Sequence, residues 1–264
     1  MEIFSYSYMI KAFICGFFLS LIIPLMGIVI VNKKISIIGD ALSHVSLAGV
    51  MIGIFAGIQP MLGAIITCIL ASFFMEFIRK NFPGYQEIST AIVMSTGIGL
   101  ASLMSGFIRT SYNFESFLFG SILTISNFEF YTIIILSLVI FFIFALLYRD
   151  LMYISFDESS AKLSGLKVES INRIFMFLIA LTISISARTV GILIISSLMV
   201  IPVALSLQFN RGYLQSTILS SVFGIIFTLG GLFISFYLGL KPGGTIVIFG
   251  VIILIFMILL KKKR

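Results

Sequence analysis

Eight or nine apolar stretches follow one another along this chain, at roughly 8–31, 41–57, 60–78, 88–107, 128–148, 171–187, 190–208, 216–238 and 245–260. About 20 apolar residues carry a helix across a bilayer. Inside hydrocarbon, only helices and closed barrels satisfy their own backbone groups. The stretches are continuous rather than alternating, which excludes a barrel. With 60% of residues hydrophobic, 10% charged and a mean hydropathy of +1.22, no soluble domain of 264 residues fits. The expectation is an all-α polytopic membrane protein with eight or nine transmembrane helices, forming a single domain over 1–264. The first stretch carries Lys11 and Pro24 and is too long for a signal-peptide core. No small-residue cleavage site follows it, so it reads as a retained helix.

A net charge of +7 could point to nucleic acid, but its distribution follows the membrane. With nine spans and the N-terminus outside, the cytoplasmic segments hold Lys33, Lys34, Arg79, Lys80, Arg149, Lys162, Lys167, Arg173, Arg211 and Lys261 to Arg264. The outer loops keep Arg109, Arg188 and Lys241, which is the asymmetry of the positive-inside rule. Arg188-Thr189 divides two short spans, and merging them there gives the eight-span alternative. Cys15 and Cys68 lie in separate apolar segments without motif spacing and read as packed thiols.

Against this background, Gly39-Asp40-Ala41-Leu42-Ser43-His44-Val45-Ser46 is the most informative segment. An aspartate and the only histidine stand four residues apart, one helical turn and one face. Ionisable groups in an apolar span are costly and tend to mark a route for ions or substrate. Asp and His are also donors that a divalent transition metal accepts. On a helical wheel Asp40, His44 and Ala48 share one side. Gly49, Gly53 and Gly57 fall roughly opposite, a small-residue stripe for close helix packing. The bland alternative is that Asp40 caps the helix and His44 makes one buried hydrogen bond. One pair cannot complete a four-ligand zinc site, but two copies about a two-fold axis could converge two Asp and two His. The pair opens the second span at its cytoplasmic end; a break within 33–44 would raise it deeper.

Other polar positions are less specific. Glu76 is expected to pair with Arg79 or Lys80. Ser95, Thr96, Gly97 and Gly99 make the fourth span locally polar, and Pro202 after Ser196-Ser197-Leu198 should free the Leu198 carbonyl. Met residues such as Met94 and Met199 read as core filler. The 79–87 connection carries Pro83-Gly84 turn chemistry. The 108–127 stretch, with Tyr112, Phe114, Phe117 and Phe119, suits the outer interface. No GxxxxGK[ST] motif occurs, so this chain does not bind ATP in that manner.

The 149–173 segment is the longest charged one. Ser155-Phe156-Asp157-Glu158 reads as a capping box with Ser155 as the N-cap. Gly165 reads as a left-handed stop, giving a cytoplasmic helix over 156–164. It is either a solvated linker or a docking helix for a cytoplasmic partner.

These residues resemble a known family. Gly39 to Val50, Glu87 to Gly97, Phe117 to Ser121, Val190 to Leu193 and Ile201 to Ala204 closely resemble the permease subunits of bacterial ATP-binding-cassette importers for zinc and manganese. Within the family the Glu87–Gly97 and Phe117–Ser121 runs look most similar to the zinc-type permeases. The resemblance implies a permease homodimer in the cell membrane, cytoplasmic ATP-binding subunits that perform the hydrolysis, and an extracytoplasmic metal-binding protein. It implies no nucleic-acid partner and no resident cofactor; zinc, or manganese, is cargo. It makes the segment from Phe156 through Asp157, Glu158 and Ala161 to Gly165 the coupling helix, and it places metal coordination on Asp40 and His44. A manganese or iron importer permease is the alternative within the family. A proton-coupled secondary metal transporter is the alternative outside it; it would more commonly show two related halves. An intramembrane metalloenzyme lacks a ligand set.

Overall fold

The computed structural model describes residues 6–82, 85–107, 114–120 and 125–262. Among them the chain forms eleven helices and no strand: α1 (Ser7–Asn32), α2 (Ile38–Phe55), α3 (Pro60–Asn81), α4 (Gln86–Phe107), α5 (Phe114–Phe119), α6 (Asn127–Phe156), α7 (Glu158–Leu163), α8 (Val168–Ser186), α9 (Ile192–Leu207), α10 (Tyr213–Leu238) and α11 (Pro242–Lys262). Eight are long and apolar enough to cross a membrane, and α9 is a shorter apolar helix. At about 1.5 Å per residue, the 16 residues of α9 fall a turn short of a full crossing. It can be short because it starts from a buried turn, where Thr189 and Val190 are enclosed. There the backbones of Gly120 and Gly191 approach so closely that a methyl on Gly191 would lie 2.5 Å from the Gly120 amide nitrogen. Only glycine permits that approach.

Contacts between helix ends fix the two faces of the bundle. At one end Lys11 donates to Asn127 (2.7 Å), and Lys241 stands 5.0 Å over the Phe119 ring. Phe55 and Phe107 pair there at 6.1 Å, closing the parallel helices α2 and α4. At the other end Lys33 donates to Asn172 (2.7 Å), and Lys261 donates to the Gln208 carbonyl. The second end carries the excess of basic residues and is the cytoplasmic one.

The core is built on α1, α2, α8 and α9, whose facing side chains include Leu19, Ile22, Met26, Leu42, Ile179, Leu198 and Met199. By contrast α4, α6 and α11 are largely open on the protomer surface. Gly49 of α2 and Gly63 of α3 let those antiparallel helices nearly touch. A methyl on Gly63 would sit 2.3 Å from the Gly49 carbonyl oxygen, which is the close packing a small-residue stripe allows. Gly57 is not part of that stripe. It follows the α2 C-cap residue Ala56 with φ +69° and turns the chain towards α3.

The cytoplasmic segment is more helical than its charge suggests. α6 continues through Arg149 and Asp150 to Phe156, so polarity there marks the exit from the membrane, not the end of the helix. The N-cap of α7 is Asp157, not Ser155: its carboxylate accepts from the Ser159 and Ser160 amides. Ser155 belongs to α6 and donates to the Met152 carbonyl. The helix therefore spans 158–163 rather than 156–164, and Gly165 follows it with φ +87°. A reciprocal capping box occurs instead at Ser126 and Glu129, opening α6. The Pro83-Gly84 turn, Arg109, Tyr112, Ser121, Lys263 and Arg264 lie outside the described residues.

Candidate functional site

α2 begins in the interior of the bundle, not at its edge. After α1 ends, Lys34 adopts φ +58° and the chain turns back within a few residues to start α2 at Ile38. Ile38 and Met75 line one small cavity, so Glu76–Asn81 of α3 runs past the first turn of α2. Gly39 lies against the middle of α9; a methyl there would sit 3.3 Å from Met199 Sδ and 3.5 Å from Ser196 Cβ. One turn on, Gly97 of α4 packs on the His44–Val45 peptide, its methyl position 2.8 Å from the Val45 nitrogen. Gly97 stands at the midpoint of α4, about 15–16 Å from either end at the helical rise. The elbow thus raises Asp40 and His44 towards mid-height, although they belong to the cytoplasmic end of α2.

Asp40 and His44 share a face, as their spacing requires. Asp40 is exposed on the protomer and His44 half-exposed. The open strip runs Ile37, Asp40, His44 and Leu47. Ala48 departs from it, packing in a buried cluster with Met51 and Ala101. Neither ionisable side chain forms a hydrogen bond or ion pair with another described residue. The α2 N-cap is Ile37, without a side-chain cap. Among the described residues Asp40 caps no helix and His44 has no hydrogen-bond partner. Beside the strip, the Ser43 hydroxyl is buried without a partner, and Ser196 of α9 contributes a half-buried hydroxyl near Gly39.

Two charged constellations flank this strip, of which only the Glu76–Arg79 pairing was anticipated. At the outer end Glu129 and Arg188 form an ion pair that ties α6 to the α8–α9 turn. The Arg188 guanidinium also stands 5.8 Å over the Phe117 ring of α5. The signal for Glu129 was present in the Ser-x-x-Glu spacing of 126–129. At the cytoplasmic end Lys33, Asn172, Glu76 and Arg79 meet below α2, with Arg79 3.9 Å from Glu76. That Glu76–Arg79 pairing follows the expectation.

From the last residue of α6 into α7, the residues assigned to coupling divide by face. Phe156 is exposed and stacks edge-on with Tyr213 at 5.7 Å. Glu158 bridges to Lys162 at 3.5 Å. Ala161, at 4% exposure, turns inward and supports the helix, whereas Leu163, at 90%, projects outward.

Among the described residues no group of three or more His, Cys, Asp or Glu gathers as a metal cage. A polytopic helix bundle with an Asp–His pair open towards mid-height, unpartnered among the described residues, has the build of a membrane permease. The comparisons agree. The model of the ABC 3 transport family matches residues 5–261, and the chain belongs to that family. It is a multi-pass permease of the bacterial cell membrane. It is 36% identical over 260 residues to a "Probable metal transport system membrane protein" of Treponema pallidum, covering 98% of this chain and 97% of that protein. It is 26% identical to the manganese transport system membrane protein MntC of Listeria monocytogenes (98% and 93% covered). It is 27% identical to the high-affinity zinc uptake system membrane protein ZnuB of Haemophilus influenzae (96% and 97% covered). The fold matches a chain in the structure of PsaBC from Streptococcus pneumoniae in complex with Fab. The TM-score is 0.86 at 24% identity, over 96% of this chain and 92% of that one.

Proposed function

We propose that this chain is the permease subunit of an ATP-binding-cassette importer that carries a divalent transition metal, zinc first, into the cytoplasm. The observation that carries the reading is the open, unpartnered Asp40–His44 pair at mid-height. A charged side chain facing lipid at that depth costs about 2.5–3.5 kcal/mol. A second copy of the chain covering the strip removes that cost. It also brings two Asp and two His together, the four ligands that one protomer cannot supply. The chain acts as one permease domain over 1–264 and needs no resident cofactor. A separate ATP-binding subunit docks at α7 and hydrolyses ATP, and an extracytoplasmic protein delivers the metal.

Zinc stands first on the resemblance to the zinc-type permeases; one imidazole and one carboxylate per protomer discriminate poorly between zinc and manganese. The similarity to both a zinc uptake and a manganese transport protein keeps manganese as the second reading. ATP-dependent uptake of zinc and manganese in competition, with the permease reconstituted beside its ATPase and binding protein, tests both. Zinc uptake that survives collapse of the proton gradient and requires ATP supports the proposal. A preference for manganese overturns the zinc assignment, and uptake driven by the proton gradient without ATP overturns the importer.

A further inference from the structure

The elbow that lifts Asp40 is tied to α8 by an ammonium. Lys33 closes α1, and its Nζ donates to Asn172 Oδ1 at 2.7 Å. Asn172 lies in the first turns of α8 and is only 6% exposed. Burial pushes the Lys33 pKa down to about 8, while the Glu158 carboxylate of α7 opposes that shift, Arg79 adds to it and Glu76 opposes it. Lys33 is therefore within electrostatic reach of α7, of the end of α3 and of the start of α8 at once. On its other side the chain leads through the left-handed Lys34 directly into the first turn of α2, which contains Asp40. A half-buried lysine is a costly way to fill this position, since a charge out of water needs compensation. A contact made only for packing would not require it.

Building on the reading of α7 as the ATPase docking helix, we propose that Lys33 is a positioning residue that makes the α1–α2 elbow, and with it Asp40, follow the movements of α7 and α8. Rigid helices joined through hydrogen-bonded side chains can carry such coupling. Asn172 supplies the mechanical tie to α8, and Glu158 the charge attraction to α7. Removing the ammonium frees the elbow while leaving the docking surface of Phe156 and Leu163 intact.

The test compares metal uptake with ATP hydrolysis in the reconstituted complex of permease, ATPase and binding protein, using zinc as the probe. Lys33→Met is expected to keep ATP hydrolysis while zinc moved per ATP falls by about tenfold. Lys33→Arg restores most of the lost stoichiometry. If Lys33→Met does not assemble, Asn172→Leu removes the acceptor and gives the same readout. Wild-type stoichiometry in an assembled Lys33→Met or Asn172→Leu complex overturns the proposal, as does a proportional fall of uptake and hydrolysis together. A wild-type complex that hydrolyses ATP but takes up neither zinc nor manganese defeats the transport reading itself, a result distinguishable from the others.

Discussion

Gly97 holds α4 against the peptide joining His44 to Val45: a methyl group on it would lie 2.8 Å from the Val45 nitrogen and 3.0 Å from the His44 carbonyl carbon. The histidine is thus oriented by backbone packing, not by a hydrogen bond to its ring. Gly97→Val should force α4 away from α2 at the level of the site, at an overpacking cost of about 1–3 kcal/mol, and abolish uptake. Gly99→Ala is the control, because nothing lies within 4 Å of its methyl position. Thermal unfolding of the detergent-solubilised protomer should register the first change and not the second.

The Glu129–Arg188 pair joins α6 to the turn from which α9 descends. Glu129 is 3% exposed and Arg188 30%, so removing one charge leaves the other only partly hydrated. Glu129→Gln should destabilise the protein by about 1–3 kcal/mol. The double change Glu129→Gln with Arg188→Met should cost less than the sum of the two single changes, because the ion pair is lost only once. Denaturant or thermal midpoints of Glu129→Gln, Arg188→Met and the double variant check this.

Lys33 introduces a pH dependence whose sign follows from its depressed pKa. Its folded-state value near 8 lies below the ordinary lysine value of 10.5. Below pH 8 the ammonium is charged in both states, and its burial penalty is present in full. Between about pH 8 and 10.5 the folded state releases the proton first, so its contribution to stability rises with pH. Lys33→Met lacks that rise. The difference in melting temperature between the variant and the wild type should therefore shift in favour of the wild type from pH 7.5 to pH 10. A constant difference contradicts the assignment.

Asp157 begins α7, and the Ser160 hydroxyl together with the Ser160 and Ser159 amides holds its carboxyl below the usual range. The helix support it gives is present above that range and is lost as pH falls through the lowered pKa. Asp157→Ala should unravel α7 and weaken capture of the ATPase subunit, whereas Asp157→Asn, also a good N-cap, should retain most of it. Co-purification of the two subunits reads the difference.

Much of this arrangement was legible in the residues, and the failures have definite causes. Spans were readable because hydrocarbon leaves a chain few options, so apolar length alone locates α1, α3 and α10. The end of α6 was missed because Arg149 and Asp150 signal departure from the membrane, whereas the helix is set by backbone bonds that continue to Phe156. The α7 cap was placed two residues early because Ser155 and Asp157 are both good caps; the hydroxyl of Ser155 is taken by the Met152 carbonyl. Asp40 and His44 were identifiable by type and spacing, but not their depth. That depends on the left-handed Lys34 and on Gly97, Ser196 and Met199 from distant helices. Pairs such as Lys33 with Asn172, 139 residues apart, leave no local trace.

The most direct test of the account is zinc uptake by the assembled importer carrying His44→Ala or Asp40→Ala, with ATPase assembly and protein stability measured on the same preparations. Uptake lost in both variants, while the complex assembles and melts as the wild type does, is the predicted result. It places the metal route on this face of α2. Normal zinc and manganese uptake in an assembled His44→Ala complex contradicts it and reduces the histidine to a packing residue.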